Sequence, residues 1–213
     1  MKPVKIGLLG LGTVGGGTAR VLANNATEIA RRAGSEIQVI HAAAKGLTGT
    51  PEGTENVILT EDAFEVVNNP EVDIVVELIG GDSPAKELVM QAIANGKHVV
   101  TANKALIAKH GNEIFSAAQA KGVVVAFEAA VAGGIPIIKA IREGLSANRI
   151  QWIAGIINGT TNFILSEMRD KGLPFDVVLK EAQRLGYAEA DPTFDIEGVD
   201  AAHKITILSA LAF

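Results

Sequence analysis

The chain is 213 residues long, enough for one domain or two. At 48% hydrophobic and 20% charged it is too apolar to be disordered, and 4% aromatics leave little for a base-stacking platform. A net charge of −5 argues against coating nucleic acid or an anionic membrane, and the lack of cysteine excludes disulfides, thiolate metal sites and thiol nucleophiles.

The opening stretch MKPVKIGLLGLGTVGGG is apolar but breaks into glycines too early for a signal peptide or a membrane span. A cytoplasmic protein is the expectation. Val4–Leu9 reads as a buried strand. A helix over Thr13–Arg32 closes near Gly34, and Glu36–Ala44 reads as a second strand. Lys45–Leu59 is rich in Gly and Thr and reads as a loop. Thr60 is placed to cap a helix that Pro70 stops after Asn69. Asp73–Ile79 is a third strand. Ser83-Pro84 opens a helix that ends at Asn95-Gly96. His98–Ala102 and Val123–Phe127 are two further strands, flanking a helix over Ala105–Lys121.

Strand and helix alternating in this way predict an α/β fold, a Rossmann-like doubly wound parallel sheet. The pattern changes after Ala130, and Gly133-Gly134-Ile135-Pro136 reads as a hinge. Gln151–Ile157 reads as a strand, followed by helices over Thr161–Lys171 and Phe175–Leu185, a loop over Gly186–Glu197, and a helix from Gly198. The expected division is a dinucleotide-binding domain over 1–135 and part of a smaller α+β substrate and dimerisation domain over 136–213. An apolar helix reaching the last residue suggests that the chain is a piece of something longer.

Gly10-Leu11-Gly12-Thr13-Val14-Gly15 follows the first strand and opens the first helix. The first glycine permits the tight turn, the second lets a pyrophosphate approach the backbone, and the third lets helix and strand pack closely. The helix start adds N–H groups and a positive dipole end. An acid at the end of the second strand would hold the ribose 2′-hydroxyl of NAD. The sequence there is Ala43-Ala44-Lys45-Gly46, so Lys45 is matched instead to the 2′-phosphate of NADP, with a solvated loop lysine as the bland alternative.

Lys104 follows the fourth strand in Thr101-Ala102-Asn103-Lys104, at the carboxyl end of the sheet where ligands bind. A lysine at a helix start is unfavourable for the dipole, which points to some other use; a surface lysine is the alternative. Glu128 and the glycine-rich turn through Gly133 and Ile135 would suit a hard cation such as Na⁺, though a hinge turn is the commoner explanation. Gly186–Asp195 packs the carboxylates Glu189, Asp191 and Asp195 into seven residues. Asp200 and Lys204 then stand four apart on a mostly apolar helix. A solvated ion pair there is worth only tenths of a kcal/mol, on the order of 0.3–0.5. A partly buried lysine, in contrast, can serve in acid–base chemistry, and acids beside it would bind an ammonium-bearing substrate.

The glycine turn, TANKALIA, FEAAVAGGIPII, GIINGTTNFIL and GYAEADPTFDIEGVDAAHKITIL together resemble homoserine dehydrogenase, across all 213 residues. The resemblance implies NAD(P)-dependent interconversion of L-homoserine and L-aspartate 4-semialdehyde, in threonine, methionine and isoleucine biosynthesis. It implies that Gly10, Gly12, Thr13, Val14 and Gly15 hold the cofactor diphosphate, with Lys45 near the 2′-phosphate. Lys104 would lie beside nicotinamide and substrate, and Gly186 would touch the cofactor. Glu189, Asp195 and Asp200 would face the substrate, Lys204 would exchange the proton, and Gly159 and Thr160 would approach the substrate or a dimer seam. Glu128 and the carbonyls of Val131, Gly133 and Ile135 would form a sodium site. A homodimer is implied by the family and by the apolar strand over Trp152–Ile157. Family members continue beyond residue 213, so this stretch is expected to bind cofactor better than it turns over.

Competing readings are few. An aldehyde dehydrogenase working through a thiohemiester needs a cysteine, and this sequence has none. Another oxidoreductase on the same cofactor domain would not explain the GYAEADPTFDIEGVDAAHK run. A non-catalytic NADP-binding fragment would bind NADPH without consuming it.

Overall fold

The structure is a computed structural model and describes residues 2–213. The chain divides into two compact units, Met1–Gly133 and Gly134–Phe213.

The first unit is a six-stranded sheet in the order β3-β2-β1-β4-β5-β6, with every pairing parallel. The strands are β1 Val4–Leu9, β2 Ile37–Ala43, β3 Ile58–Thr60, β4 Ile74–Glu77, β5 His98–Thr101 and β6 Val125–Ala126. Helices α1 Thr13–Asn24, α2 Ala26–Ala33, α3 Ala63–Asn68, α4 Ala85–Ala94 and α5 Lys104–Lys121 connect them. Parallel strands need crossovers, and helices packed on both faces of the sheet favour apolar residues in its strands. Leu8 and Leu9, adjacent in β1, are both fully buried because they face opposite sides of the sheet. Ile6, Leu8, Ala19, Ala42 and Val76 form one core cluster. Each buried Leu or Ile in it stabilises the fold by about 1.5–3 kcal/mol.

Four details differ from the sequence reading. The expected helix Thr13–Arg32 is broken at Asn25, whose φ of −107° and ψ of 16° leave the helical region. Asparagine competes for backbone hydrogen bonds and is a poor interior helix residue. Gly34, in the left-handed region, ends α2. The expected loop Lys45–Leu59 contains the start of β3, a strand of three residues on the sheet edge, too short to show a period. Thr60 therefore belongs to a strand, and Asp62 caps α3 by accepting from Phe64 N at 2.8 Å. At α4 the cap position is Pro84, while Ser83 donates to Glu87 Oε1 at 3.2 Å.

The second unit is helical among the described residues: α6 Ile137–Lys139 running into a wider turn Ala140–Gly144, α7 Gly159–Lys171, α8 Phe175–Arg184, α9 Thr193–Ile196 and α10 Val199–Ala212. Ile164, Val178, Ala182 and Ala188 are its core cluster, packed against Phe163, Met168, Leu179 and Ile196. The expected strand Gln151–Ile157 does not form. A strand needs a ladder partner, and this unit offers none among its described residues. Trp152 and Ile156 are instead 73% and 77% exposed. No helix among the described residues is long and apolar enough to cross a membrane.

Candidate functional site

In the first unit the site is made by backbone. Gly10 N donates to Ala43 O and Leu78 N to Leu9 O, each at 2.8 Å, so the turn after β1 sits at the carboxyl ends of β2 and β4. That is where the strand order reverses and where such sheets bind ligands. Each glycine has its own constraint. Gly10 has a φ of +94°, and a Cβ there would lie 2.9 Å from Leu78 O. A Cβ on Gly15 would lie 1.9 Å from Gly10 O, so only glycine lets α1 press onto the turn. A Cβ on Gly12 meets nothing within 4 Å. The protein leaves that space open, as close approach of a diphosphate requires. Gly12 has no side chain to cap α1, so the helix start next to this space carries no side-chain cap.

A cleft of about 510 Å³ begins at this turn. Gly10, Leu11 and Gly12 line one part, and Ala43, Ala44 and Lys45 another. Glu61 and Asp62 also line it, which the sequence reading missed. The missing signal was β3: once Thr60 pairs with Ala43, the residue after it stands at the carboxyl end of β2. Glu61 Oε1 accepts from Gly46 N at 3.2 Å.

Lys104 opens α5, beside a buried polar network. Glu77 is fully buried; its Oε1 accepts from Ile79 N at 2.9 Å and Gly80 N at 3.1 Å, and its Oε2 from Thr101 Oγ1 at 2.6 Å. Thr101 Oγ1 in turn accepts from Asn103 N at 2.9 Å. Asn103 caps α5 by accepting from Leu106 N at 3.1 Å and donates to Gly81 O at 2.7 Å. The network fixes the start of α5, and with it the Lys104 backbone, against the Gly80-Gly81 loop.

In the second unit the site is made by side chains. Lys204 Nζ donates to Asp200 Oδ2 at 2.6 Å and to Ile157 O at 2.7 Å. The two side chains are only 19% and 7% exposed, so this is not the solvated surface pair. Asn158 Nδ2 donates to both Asp195 Oδ1, at 2.8 Å, and Asp200 Oδ2, at 2.9 Å. Its Oδ1 accepts from Thr161 N and Thr161 Oγ1, both at 2.8 Å. Asn158 is thus the centre of the cluster, next in the chain to the expected site residues Gly159 and Thr160. Its signal was an N-cap asparagine with threonine three residues on.

The remaining residues of the second unit lie around this centre in different ways. Gly159 begins α7. Thr160 Oγ1 donates to Tyr187 O at 2.6 Å, tying α7 to the loop after Gly186, which turns out of α8 with a φ of +78°. Glu189 is exposed, and its carbonyl accepts from Gln183 Nε2 at 3.1 Å.

The expected cation ligands fall on both sides of the unit boundary, with Glu128, Val131 and Gly133 before it and Ile135 after it. Glu128 lies in a short turn, and Ile135 O accepts from Ile137 N at 2.8 Å. No group of three or more His, Asp or Glu side chains among the described residues is placed to hold a metal.

Sheet order and glycine turn define a dinucleotide-binding α/β protein. Residues 10–128 match the family model for the NAD-binding domain of homoserine dehydrogenase, and residues 136–213 match the homoserine dehydrogenase model itself. The chain belongs to the homoserine dehydrogenase family. It is 70% identical over its whole length to homoserine dehydrogenase of Pseudomonas aeruginosa and 65% identical to that of Neisseria gonorrhoeae, covering 49% of each. The chain therefore spans about half the length of these curated relatives. Among solved structures, a homoserine dehydrogenase from Thiobacillus denitrificans superposes with a TM-score of 0.95 at 75% identity, over 100% of this chain and 49% of that one. A hyperthermophilic archaeal homoserine dehydrogenase in complex with NADPH superposes with a TM-score of 0.85 at 30% identity, over 100% of this chain and 70% of that one.

Proposed function

We propose that the chain carries the cofactor-binding and proton-transfer machinery of an NAD(P)-dependent oxidoreductase that interconverts L-homoserine and L-aspartate 4-semialdehyde. The observation that carries this reading is the buried Asp200–Lys204 pair bridged to Asp195 by Asn158. A charged cluster of this kind on an apolar helix is costly unless it is used.

The glycine turn and its open space at Gly12 fit a dinucleotide diphosphate, and Lys45 fits a 2′-phosphate. The nicotinamide, when bound, supplies or accepts the hydride. This chain's residues do the rest. Lys204 gives a proton to the substrate oxygen in reduction and takes it back in oxidation, and Asp200 holds the ammonium in place. Lys104 stabilises negative charge as it develops on that oxygen. Asp195 and Glu189 attract the substrate ammonium. Gly159 and Thr160 approach the substrate, and Gly186 serves the cofactor.

Glu128 with the carbonyls of Val131, Gly133 and Ile135 is an all-oxygen donor set with a single carboxylate, which suits Na⁺ better than a divalent ion. The NADPH-bound archaeal relative supports NADP as the cofactor, with NAD as the alternative. The division into a dinucleotide-binding part over 1–135 and a substrate and dimerisation part over 136–213, a homodimer, a cytoplasmic location and a place in threonine, methionine and isoleucine biosynthesis belong to the same reading.

The test is homoserine-dependent reduction of NADP⁺, followed by absorbance, on this chain and on any longer form that contains it. Turnover that requires L-homoserine supports the proposal. NADPH binding without turnover in either form would leave only a binding module.

A further inference from the structure

The cleft described above holds two opposite charges where a dinucleotide's adenosine ribose would lie, and only one of them favours a phosphate. β2 ends in Ala43-Ala44-Lys45 with no acid, but the sheet supplies one from the neighbouring strand. Ala43 pairs with Thr60, and Ala44 N donates to Thr60 O at 3.0 Å. Glu61 is therefore carried to the carboxyl edge of the sheet beside Lys45. Both line the cleft that starts at Gly10 and Gly12. The Glu61 carboxylate also accepts from Gly46 N at 3.2 Å. That N–H follows Lys45 directly and is the kind of donor that a phosphate in this place would take. The neighbouring Asp62 is committed to capping α3.

We infer that Glu61 is a specificity-determining residue that works against the 2′-phosphate, so that Lys45 and Glu61 together set the balance between NADPH and NADH. The inference rests on the dinucleotide reading of the cleft. A carboxylate accepts hydrogen bonds from ribose hydroxyls, which NADH offers at both positions. NADPH replaces one of them with a group of like charge to Glu61. Both residues are exposed, so the effect is moderate and screened by salt.

The experiment is direct binding, by fluorescence titration of NADPH and NADH on the full chain. Glu61→Gln is the informative change, because the amide oxygen still accepts from Gly46 N and only the charge is lost. The expected result is NADPH binding tighter by about three- to tenfold, with NADH unchanged or weaker and the difference shrinking as salt is raised. Glu61→Lys should move the ratio further in the same direction, and Lys45→Ala should move it toward NADH. A NADPH-to-NADH ratio that stays within about twofold in both Glu61 variants, or two cofactors that shift together, overturns the role of Glu61 while leaving the dinucleotide cleft standing. If neither cofactor binds the unaltered chain, the cleft reading itself fails, and the inference with it.

Discussion

The two units build their sites from different materials. The first uses backbone: three glycines, a helix start without a side-chain cap, and the carboxyl ends of parallel strands. The second uses side chains: Asn158, Asp195, Asp200 and Lys204, joined by hydrogen bonds across residues far apart in the chain. A backbone site is shaped by what is missing, since a Cβ would fill it. A side-chain site depends on every partner being present, because an unpaired buried charge or amide is costly. The first should fail by steric blockage and the second by loss of charge balance.

The largest expected effect tests the side-chain site. Lys204→Ala should lower homoserine-dependent turnover by about 10²- to 10⁴-fold while leaving NADPH affinity nearly intact. Loss of NADPH binding instead would place that lysine in the cofactor site. Two glycine changes test the backbone site. Gly15→Ala forces a methyl into Gly10 O and should cost about 3–5 kcal/mol of stability in denaturant unfolding, with loss of dinucleotide binding. Gly12→Ala meets no protein atom, so stability should change by less than about 1 kcal/mol while dinucleotide binding is lost. If both variants lose the same stability, the open space at Gly12 is not reserved for a ligand.

A smaller effect is expected at the centre of the acid–lysine cluster. Asn158→Ala strips the amide donor from Asp195 and Asp200 and should cost about 1–3 kcal/mol in denaturant unfolding. An unchanged midpoint would make the bridge dispensable. The smallest concerns His41, buried in β2. Its Nδ1 lies 3.1 Å from Asn69 Nδ2, which can only donate, so the ring proton sits on Nε2, which is buried and has no partner among the described residues. Burial lowers the pKa of this imidazole, opposed in part by the charge of Glu65. The unfolded chain then binds the proton more readily than the folded one. The stability gained from a neutral His41 is therefore present above about pH 6.5 and lost as pH falls through its folded value. Thermal melts of His41→Gln should show a flatter decline below that pH than the unaltered chain; parallel curves would remove the imidazole from the acid response.

Much of the first unit was legible because its rules are local. Val4–Leu9 was delimited by an apolar run and a glycine, and Gly10, Gly12 and Gly15 by their spacing. The break at Asn25 and the strand β3 were not, since three residues carry no period and an edge pairing is decided by the neighbouring strand. Missing β3 also hid Glu61. In the second unit α7 and α8 were legible from their periods, and the i,i+4 spacing of Asp200 and Lys204 from the geometry of a helix. Asn158 was hidden by its ordinary role as a helix cap. The strand expected over Gln151–Ile157 was a pattern without a partner.

By itself the sequence determined the alternation of strand and helix, the glycine turn and the common helical face of Asp200 and Lys204. Periodicity, steric freedom and helix geometry act between near neighbours, so they are written in short stretches of chain. Only the tertiary structure decided that Glu61 stands beside Lys45, that Asn158 joins Asp195 to Asp200, and that Lys204 is drawn out of water onto Ile157 O. Those arrangements depend on which distant segments pack together, and burial gives their charges a strength that no local pattern records.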